Sequence, residues 1–487
     1  MKLLQDILFK VDLLEVAGST NLAITNVCFD SRKVTKDSLF VAIKGTQTDG
    51  HNFIEKAIEL GAAAILAQEL PATKPDHITF VKVNDSSKSL SIIASNFYNN
   101  PSESLNLVAV TGTNGKTSVA TMLYNFYQSR GQKSGLISTI VNKVGFNDID
   151  STHTTPDALQ INYLLSLMVE QGCTYCFMEA SSHAIHQNRI FGLQFNGAIF
   201  TNISHDHLDY HKTFDDYILA KKQLFDQLSA DSFALVNKDD KHGLNMLHHC
   251  KAKQYTYGIK TMTDFKAKIL ETQFAGQLMN IDGKEVWSRI VGEFNAYNLL
   301  AIYATAILLG EDHLQALTSI SALNSPPGRF DVFESQTGIV GIVDYAHTPN
   351  AISNVLKTIL ELRNENQSVI TIVGCGGDRD TSKRSKMGKI STDLSDKVVF
   401  TSDNPRTEIP AKIIEQIQEG VEENNKHKYL SISDRKEAIK TACSIAKPGD
   451  IILLAGKGHE KYQEINGERF PFDDKLELKT AFNLLKK

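Results

Sequence analysis

Leu-Asn-Leu-Val-Ala-Val-Thr-Gly-Thr-Asn-Gly-Lys-Thr-Ser, residues 105–118, leads from an apolar run into a helical pattern over residues 119–130. A strand, a glycine-rich turn and a helix in this order are typical of a phosphate-binding loop, because backbone N–H groups of the turn and of the helix N-terminus face the anion. Lys116 would add a point charge, and the Thr117 hydroxyl can ligate Mg²⁺. The spacing differs from the usual P-loop, since Val110 stands where that pattern has glycine. The segment predicts nucleotide-dependent chemistry.

The composition is that of a globular protein, and the charge argues against two classes of partner. The 487 residues are too many for one ordinary core, so two to four domains are expected. The hydrophobic fraction of 42% is ordinary for a globular protein. The formal net charge of −5 gives no reason to expect nucleic acid or an anionic membrane as a partner. No apolar stretch reaches the roughly 18 residues of a membrane span. Residues 1–14 are interrupted by charges, unlike a signal peptide. We therefore expect a cytoplasmic protein without membrane insertion.

The six cysteines agree with that expectation. Only Cys173 and Cys176 form a C-x-x-C pair. One such pair without a second at zinc-ribbon spacing predicts buried packing rather than a zinc site. Free thiols in a chain without an export signal favour the cytoplasm.

Two breaks in the pattern predict three domains. Pro101 follows one helical stretch. Ser325–Gly328, which contains two prolines and a glycine, follows a second helical stretch. The predicted domains are residues 1–100, 101–330 and 331–487. Throughout, short runs rich in Val and Ile alternate with amphipathic helical stretches, which is typical of α/β sheets.

Unusual polar clusters follow the predicted strands. In open α/β sheets, ligands bind beyond the carboxyl ends of the strands, so two domains meeting at such edges would form an interdomain active site. The clusters are Glu179–His183, Asn202–Asp209, Asp344–His347, Gly374–Arg379, Ser402–Arg406 and Gly456–Glu460.

Several of the polar residues allow two interpretations. Glu179 is expected to be either a magnesium ligand or a capping carboxylate. His207 lies among three histidines whose spacing does not suit zinc, so a magnesium site is favoured. Lys221 by itself predicts a solvated helix lysine. Asn295 and Asn298 share a helix face, where they would contact a base or ribose, or remain surface amides.

The motifs together resemble the Mur ligases of bacterial cell-wall synthesis. The resemblance covers the whole chain in order and is carried by Thr111–Ser118, Glu179–His183, Asn202–His211, Gly292–Ala301, Asp344–Pro349 and Asp403–Arg406. It implies an N-terminal α/β domain for the UDP end of the substrate, a central P-loop α/β domain for ATP, and a C-terminal Rossmann-like domain for an amino acid.

The resemblance also implies the residues of each subsite. The catalytic residues would be Lys116, Glu179, His207 and Lys221, with Lys221 carbamylated and Thr117, Glu179, His207 and Lys221 as magnesium ligands. ATP would contact Gly112, Thr113, Asn114, Gly115, Lys116, Thr117, Ser118, Asn295, Asn298, Arg329 and Asp344. The UDP-substrate would contact Phe29, Ser31, Thr46, Gln47, Thr48, Thr154, Thr155, Ser181, Gln187 and Arg189. Diaminopimelate would contact Arg379, Asp403, Asn404, Pro405, Arg406, Gly456 and Glu460.

The implied reaction is ATP-dependent amide formation through an acyl phosphate, with Mg²⁺ as cofactor. The substrates would be UDP-N-acetylmuramoyl-L-alanyl-D-glutamate and meso-diaminopimelate, acted on by a monomer. Arg406 favours diaminopimelate over lysine, because a guanidinium can hold the second carboxylate as a fork. The alternatives are a lysine-adding ligase, a folylpolyglutamate synthetase, or a nucleotide-dependent switch without ligase activity. Arg406 and the N-terminal 100 residues argue against the first two, and the Asp403–Arg406 and Gly456–Glu460 clusters against the third.

Overall fold

The structure, a computed structural model, describes residues 1–45 and 48–487. Thr46 and Gln47, which the sequence assigns to the uridine end of the substrate, lie outside the described residues. Three main sheets follow one another along the chain, each built largely from parallel strands with helices packed on it. The predicted α/β class with parallel sheets is confirmed, while the domain limits 1–100, 101–330 and 331–487 stay a prediction.

The first sheet has five strands, four of them parallel and one antiparallel at the edge. In spatial order they are Leu13–Ala17, Thr79–Val83, Ala62–Ala67, Ser38–Val41 and Asn26–Cys28. A separate pair of short strands joins Lys2–Leu3 to Ala23–Ile24. The α-helices of this region are Leu4–Ile7, Ile54–Glu59 and Ser86–Phe97.

The second sheet has eleven strands, with a parallel middle and antiparallel ends. In spatial order they are Asn147–Asp150, Val141–Val144, Ser134–Ile137, Tyr175–Glu179, Asn106–Thr111, Gly197–Phe200, Phe233–Asn237, Lys253–Gly258, Phe265–Gln273, Gly276–Ile281 and Lys284–Ser288. The helices are Lys116–Ser129, Ala158–Glu170, Ser182–His186, Leu208–His211, Phe214–Asp226, Glu293–Leu308 and His313–Ser321.

The strand Asn106–Thr111 lies in the middle of this sheet and is buried on both faces. Val108 and Val110 belong to the core under helices Lys116–Ser129 and Glu293–Leu308, while Leu107 and Ala109 belong to the core on the opposite face. Side chains alternate between the two faces of a strand, and the four apolar residues at positions 107–110 therefore supply both cores. The phosphate loop that follows therefore starts from a rigid point.

The third sheet has six strands, five of them parallel. In spatial order they are Asp331–Glu334, Val340–Asp344, Ile451–Ala455, Val369–Val373, Lys397–Phe400 and Tyr429–Ser431. A hairpin joins Tyr462–Ile465 to Glu468–Pro471. The helices are Pro349–Leu362, Arg384–Leu394, Pro410–Gln418, Arg435–Ile445 and Asp474–Leu485.

The strands that precede the polar clusters are present where the sequence predicts them, within about a residue at each end. Glu179 and Asp344 are the last residues of their strands, and Gly374 and Gly456 directly follow theirs. Cys173 and Cys176 are buried and unpaired, as predicted. Within residues 1–45 and 48–487, no helix combines the length and the apolar character needed to cross a membrane.

Candidate active site

The phosphate loop is held against the neighbouring strand end by hydrogen bonds. Thr113 N donates to Asn202 O at 2.8 Å, and Asn114 N donates to Asn202 Oδ1 at 3.1 Å. The Thr201 hydroxyl donates to Asn114 O at 2.6 Å. These bonds fix the turn before any anion arrives, so the backbone N–H groups at the start of the helix beginning at Lys116 are already oriented.

Gly115 must be glycine for both conformation and space. Its φ of +88° lies in the left-handed region, and a Cβ there would be 2.7 Å from Asn298 Oδ1. The loop is therefore in direct contact with helix Glu293–Leu308. Asn298 lines the cleft above the loop. Asn295 is turned into the protein, where it donates to Val291 O at 2.9 Å and accepts from Asn298 Nδ2 at 3.1 Å.

Two lysines converge on the loop. Lys116 Nζ donates to Gly112 O and Thr113 O, both at 2.9 Å, and Lys221 Nζ donates to Gly112 O at 2.8 Å. Lys221 is only 1% exposed, so the expectation of a solvated lysine from its helix pattern alone is wrong. Burial and the charge of Lys116 hold the pKa of Lys221 well below its usual range.

Glu179 and Thr117 form an oxygen pair at the base of the cleft. The Thr117 hydroxyl donates to Glu179 Oε2 at 2.9 Å, and Thr139 N donates to Glu179 Oε1 at 2.7 Å. Glu179 is fully buried. Arg329 Nη2 donates to Thr117 Oγ1 at 3.1 Å, which brings a residue from the end of the central region onto the phosphate loop.

His207 lies beside this group in a left-handed backbone conformation with φ of +54°. Its Nε2 is 3.6 Å from Asp206 Oδ2, and its ring centroid is 5.0 Å from that of His183. Burial lowers the pKa of His207 to about 3, although Asp206 opposes the shift. The imidazole is therefore neutral at physiological pH, which is the form that ligates metal ions.

Arg329 and Asp344 lie on opposite sides of the predicted domain boundary between residues 330 and 331, and both line the cleft. Asp344 accepts from Phe330 N at 2.6 Å, and burial raises its pKa to about 6 although Arg329 opposes the shift. The Arg329 guanidinium carbon is 4.4 Å from the ring centroid of Tyr345. Arg329 is thus stacked in place as well as hydrogen-bonded, as a residue that closes over a phosphate would need to be.

One cleft gathers residues from the central and C-terminal regions. It includes the predicted residues Thr113–Ser118, Thr154, Glu179, His207, Asn298, Arg329 and Asp344. It also includes residues that sequence reasoning did not assign: Thr139, Asn202, Asp206, Phe294, Tyr345, Ala346, His347, Ala351, Asn354 and Val355. Several of the latter, Phe294 among them, fall within quoted motifs, but Ala351, Asn354 and Val355 lie on helix Pro349–Leu362, whose pattern gave no sign of a ligand.

Four residues assigned to the muramoyl-dipeptide form one network next to Glu179. The Thr155 hydroxyl donates to Glu179 O at 2.7 Å and accepts from Ser181 N at 3.0 Å. Arg189 Nη1 donates to Thr155 O at 2.9 Å, and its Nη2 donates to Gln187 Oε1 at 2.7 Å. The network ties the predicted substrate site to the strand that carries Glu179.

The remaining residues assigned to the UDP-substrate are spread more widely. Thr154 accepts from the Thr139 hydroxyl at 3.0 Å and lines the cleft. Phe29 is partly exposed at the N-terminal sheet, Ser31 begins a short 3₁₀ helix, and Thr48 O accepts from Gly45 N at 3.0 Å. These three lie in the N-terminal region, away from the phosphate loop in the sequence.

The two predicted carboxylate-binding arginines lie at adjoining loops of the C-terminal sheet. Arg406 Nη1 donates to Gly377 O at 2.7 Å, and its Nε is 3.5 Å from Glu464 Oε2. Arg379 is exposed, and its charge is close enough to lower the pKa of His183, after the larger effect of burial. Arg379 is thus within range of an electrostatic interaction with His183 of the central region.

Three other residues predicted to bind diaminopimelate, Asp403, Asn404 and Glu460, are packed around a buried lysine that sequence reasoning missed. Lys457 Nζ donates to Asn404 Oδ1 at 3.0 Å and lies 3.4 Å from Glu460 Oε2 and 3.6 Å from Asp403 Oδ1. Gly456 allows this approach, since a Cβ there would be 2.8 Å from Asp403 Oδ2. The Gly-Lys-Gly-His-Glu motif contained the signal, because a lysine directly after a strand end is placed like the other clusters.

The donor set suits magnesium at one position and only conditionally at a second. Thr117 and Glu179 present two oxygen ligands 2.9 Å apart, which is the chemistry Mg²⁺ prefers. His207 and the Lys221 amine would form a second set only if Lys221 carried a carboxylate. Within residues 1–45 and 48–487, no group of three or more His, Cys, Asp or Glu side chains is placed to hold a metal ion.

Three family models match the chain in succession. They are described as "Mur ligase family, catalytic domain" over residues 23–98, "Mur ligase middle domain" over 110–306, and "Mur ligase, glutamate ligase domain" over 328–458.

Curated relatives match over the full length. The chain is 53% identical to a protein of Cytophaga hutchinsonii over 485 residues, covering 99% of this chain and 100% of the relative. It is 49% identical to a protein of Parabacteroides distasonis, covering 99% of each. Both are named UDP-N-acetylmuramoyl-L-alanyl-D-glutamate–2,6-diaminopimelate ligase. A solved structure of an enzyme of that name superposes with a TM-score of 0.71 at 32% identity, covering 100% of this chain and 99% of the other.

Proposed function

The chain belongs to the Mur ligase family, and we propose that it joins 2,6-diaminopimelate to UDP-N-acetylmuramoyl-L-alanyl-D-glutamate in an ATP-dependent reaction of peptidoglycan precursor synthesis. The observation that carries this proposal is one cleft that the phosphate loop shares with Thr154 and Glu179 of the central region and with Asp344 and His347 of the C-terminal region. The Thr155 network is hydrogen-bonded to the backbone of Glu179, which lines this cleft.

The phosphate loop and the lysines would hold ATP. Backbone N–H groups of the loop face the phosphates, and Lys116 exchanges its two carbonyl acceptors for phosphate oxygens. Arg329 is placed to move from the Thr117 hydroxyl to the same anion. Phe294 and Val355 line the cleft and offer an apolar surface for the base, and Asn298 and Asn354 offer amides to the base or the ribose.

The proposed reaction has two steps. A D-glutamyl carboxylate oxygen attacks the γ-phosphorus, which forms an acyl phosphate and releases ADP. The diaminopimelate amine, as the free base, attacks the acyl carbon, and inorganic phosphate leaves as the amide forms. Both steps bring anions together, so positive charge from Lys116 and Arg329 lowers the barrier. The cleft between the two regions excludes water from the acyl phosphate.

Magnesium would be held by Thr117 and Glu179, and by His207 with carbamylated Lys221. When bound, it would neutralise charge on the phosphates. The geometry of Lys221 supports the modification, since a carbamate forms only from a deprotonated amine. Its buried position beside Lys116 favours that form. The carbamate would place a negative charge beside the Lys116 ammonium group, where the two would attract each other.

Diaminopimelate is proposed to bind between the loops at residues 374–379, 403–406 and 456–460. Arg406 and Arg379 offer guanidinium groups to a carboxylate, and Glu460 offers an acceptor to an ammonium group. A lysine-adding activity is the second candidate, because lysine shares every group except the distal carboxylate. We also propose a cytoplasmic monomer that uses neither nucleic acid nor membrane, in keeping with six unpaired buried cysteines among the described residues.

A coupled phosphate-release assay tests the proposed function. ATP turnover is expected only when both the UDP-muramoyl-dipeptide and diaminopimelate are present, and mass spectrometry should identify the amide product. Lysine offered in parallel is expected to give a much lower kcat/KM. ATP turnover independent of the two substrates would refute the ligase assignment, and equal kcat/KM for the two amino acids would refute the specificity.

A further inference from the structure

A fully buried lysine belongs to one of the loops proposed to bind diaminopimelate, residues 456–460, and faces another, residues 403–406. Lys457 is 0% exposed and follows the central strand Ile451–Ala455 by two residues. A buried ammonium group is unfavourable unless anions and hydrogen-bond acceptors surround it. The surroundings of Lys457 consist of residues already assigned to the acceptor, which suggests that its charge serves that site.

Lys457 fixes the orientation of the Asn404 amide. Asn404 Oδ1 accepts from Lys457 Nζ at 3.0 Å and from Glu464 N at 2.9 Å. Both of these groups are donors only, so the oxygen must face them and the Asn404 Nδ2 must face the other way. Removing the ammonium group would leave one of the two constraints and would allow the amide to turn.

The oriented amide in turn fixes Glu460. Asn404 Nδ2 donates to Glu460 Oε2 at 2.7 Å, and Lys457 Nζ approaches the same oxygen at 3.4 Å. Among the described residues, these are the hydrogen bonds to the Glu460 carboxylate, and both fall on Oε2. The second oxygen, Oε1, therefore remains available to an ammonium group of a ligand.

Lys457 also balances the charge of two carboxylates. Asp403 Oδ1 is 3.6 Å from Lys457 Nζ and, within the part of the chain that the structure describes, lacks a hydrogen-bond partner. Burial and then Asp403 raise the pKa of Glu460, while Lys457 and Asn404 lower it. The other ionisable groups whose charge interacts with Glu460 are Tyr345, Tyr462 and Arg435.

We propose that Lys457 is a positioning residue for the incoming diamino acid: it orients Asn404 and Glu460 so that one Glu460 oxygen receives a substrate ammonium group, and its charge lies between the carboxylates of Asp403 and Glu460. The inference rests on the proposed function, because it assigns a role within the acceptor site. It goes beyond that function in giving the site a further charged residue, one that does not itself touch the substrate.

Steady-state kinetics of Lys457→Met and Lys457→Arg test the proposal, with Lys461→Met as a matched control. Lys461 is an exposed lysine four residues further along the chain. Lys457→Met is expected to raise KM for diaminopimelate about 10–100-fold, the effect of losing a charged hydrogen bond. KM for ATP should stay within about twofold, and the control should match the wild type in both.

The pH profile separates positioning from mere support of the fold. Ionised Glu460 is the binding form, so kcat/KM for diaminopimelate falls as pH falls through its pKa. Without the Lys457 charge this pKa rises, and the acid limb of Lys457→Met should move to higher pH. Lys457→Arg keeps the charge, so its acid limb should lie at the same pH as that of the wild type. Its guanidinium cannot place an N–H donor where Lys457 Nζ lies, so KM for diaminopimelate should rise several-fold.

Each outcome decides the proposal. An unaltered KM for diaminopimelate with an unmoved acid limb in a folded variant would overturn it, and so would an equal rise in KM for ATP. If Lys457→Met does not fold, Lys457→Arg decides by the rise in KM alone. Wild-type enzyme inactive with diaminopimelate would instead overturn the proposed function, so the two failures are distinguishable.

Discussion

Lys116 and Lys221 donate hydrogen bonds to the same carbonyl oxygen, that of Gly112, at 2.9 and 2.8 Å. They come from different helices, one of which begins at Lys116 and the other of which spans Phe214–Asp226. Two ammonium groups on one acceptor would repel each other, so burial together with the charge of Lys116 favours the neutral amine at Lys221. A negative charge added to Lys221 would instead attract the Lys116 ammonium group.

Lys221→Ala is expected to lower kcat about 100-fold or more, because the proposed magnesium ligand would be lost. Added acetate or formate should restore part of the activity by entering the space of the carbamate. Lys222→Ala, the next residue on the helix, pairs with Asp226 and should be near wild type. Phosphate release measures all three. Full activity in Lys221→Ala without additive would remove it from the site.

Arg406→Ala is expected to raise KM for diaminopimelate about 10–100-fold, since one charge-assisted contact to a carboxylate disappears. KM for ATP should change little. The ratio of kcat/KM for diaminopimelate to that for lysine should fall, because lysine lacks the carboxylate that Arg406 is proposed to hold. Arg469→Ala on the neighbouring hairpin is the control. An equal loss of ATP affinity would contradict the assigned role.

Asp474→Asn is expected to destabilise the protein by about 3–5 kcal/mol, because it leaves a buried guanidinium without its counter-ion. Arg435 Nη2 is 2.6 Å from Asp474 Oδ2, and both side chains are fully buried. Glu477→Gln is a matched control, since Glu477 pairs with Lys436 on the same two helices but near the surface. That change should cost less than about 1 kcal/mol. Urea denaturation that gives equal losses would contradict the expectation.

Arg435 also supports the loops at residues 403–406 and 456–460, which are proposed to bind diaminopimelate. It donates to Ser402 O at 3.4 Å and to Ala455 O at 3.2 Å, directly before Asp403 and Gly456. Asp474→Asn should therefore raise KM for diaminopimelate at temperatures where the protein is still folded, whereas Glu477→Gln should leave it unchanged.

Asp344 predicts a pH dependence of stability. Burial raises the pKa of Asp344 to about 6 from an ordinary value of 3.8. Between these two pH values the native state holds a proton that the unfolded state has released. The free energy of unfolding should therefore fall as pH rises through 6, by on the order of 1 kcal/mol between pH 5 and pH 7. Asp344→Asn should lack this component. Denaturation of both proteins at the two pH values measures the difference, and identical slopes would count against it.

The sequence predicted the sheets well where apolar runs were short and ended in polar clusters. Tyr175–Glu179 and Ile451–Ala455 are such strands, and their buried residues leave no alternative to a parallel sheet. The antiparallel additions over residues 265–288 were not foreseen, because strands at a sheet edge carry mixed polarity and lack the continuous apolar signal.

The site was harder to predict, because its charges depend on tertiary contacts. Lys221 has the pattern of a solvated helix residue, and only the packing of that helix on the phosphate loop buries it. Lys457 and Arg435 likewise acquire their partners from loops and helices distant in sequence. The family resemblance supplied Lys221 but supplied neither of the other two.

The hydrogen bond from Arg329 to Thr117 joins residues 212 positions apart in the chain. Contacts of such separation add their stability only after the sheets on both sides have formed, and they can open while those sheets remain folded. The cleft is therefore expected to open before the sheets on either side of it unfold. At low denaturant concentration we expect ligase activity to disappear while the circular dichroism of the helices is still native, so that loss of function precedes unfolding.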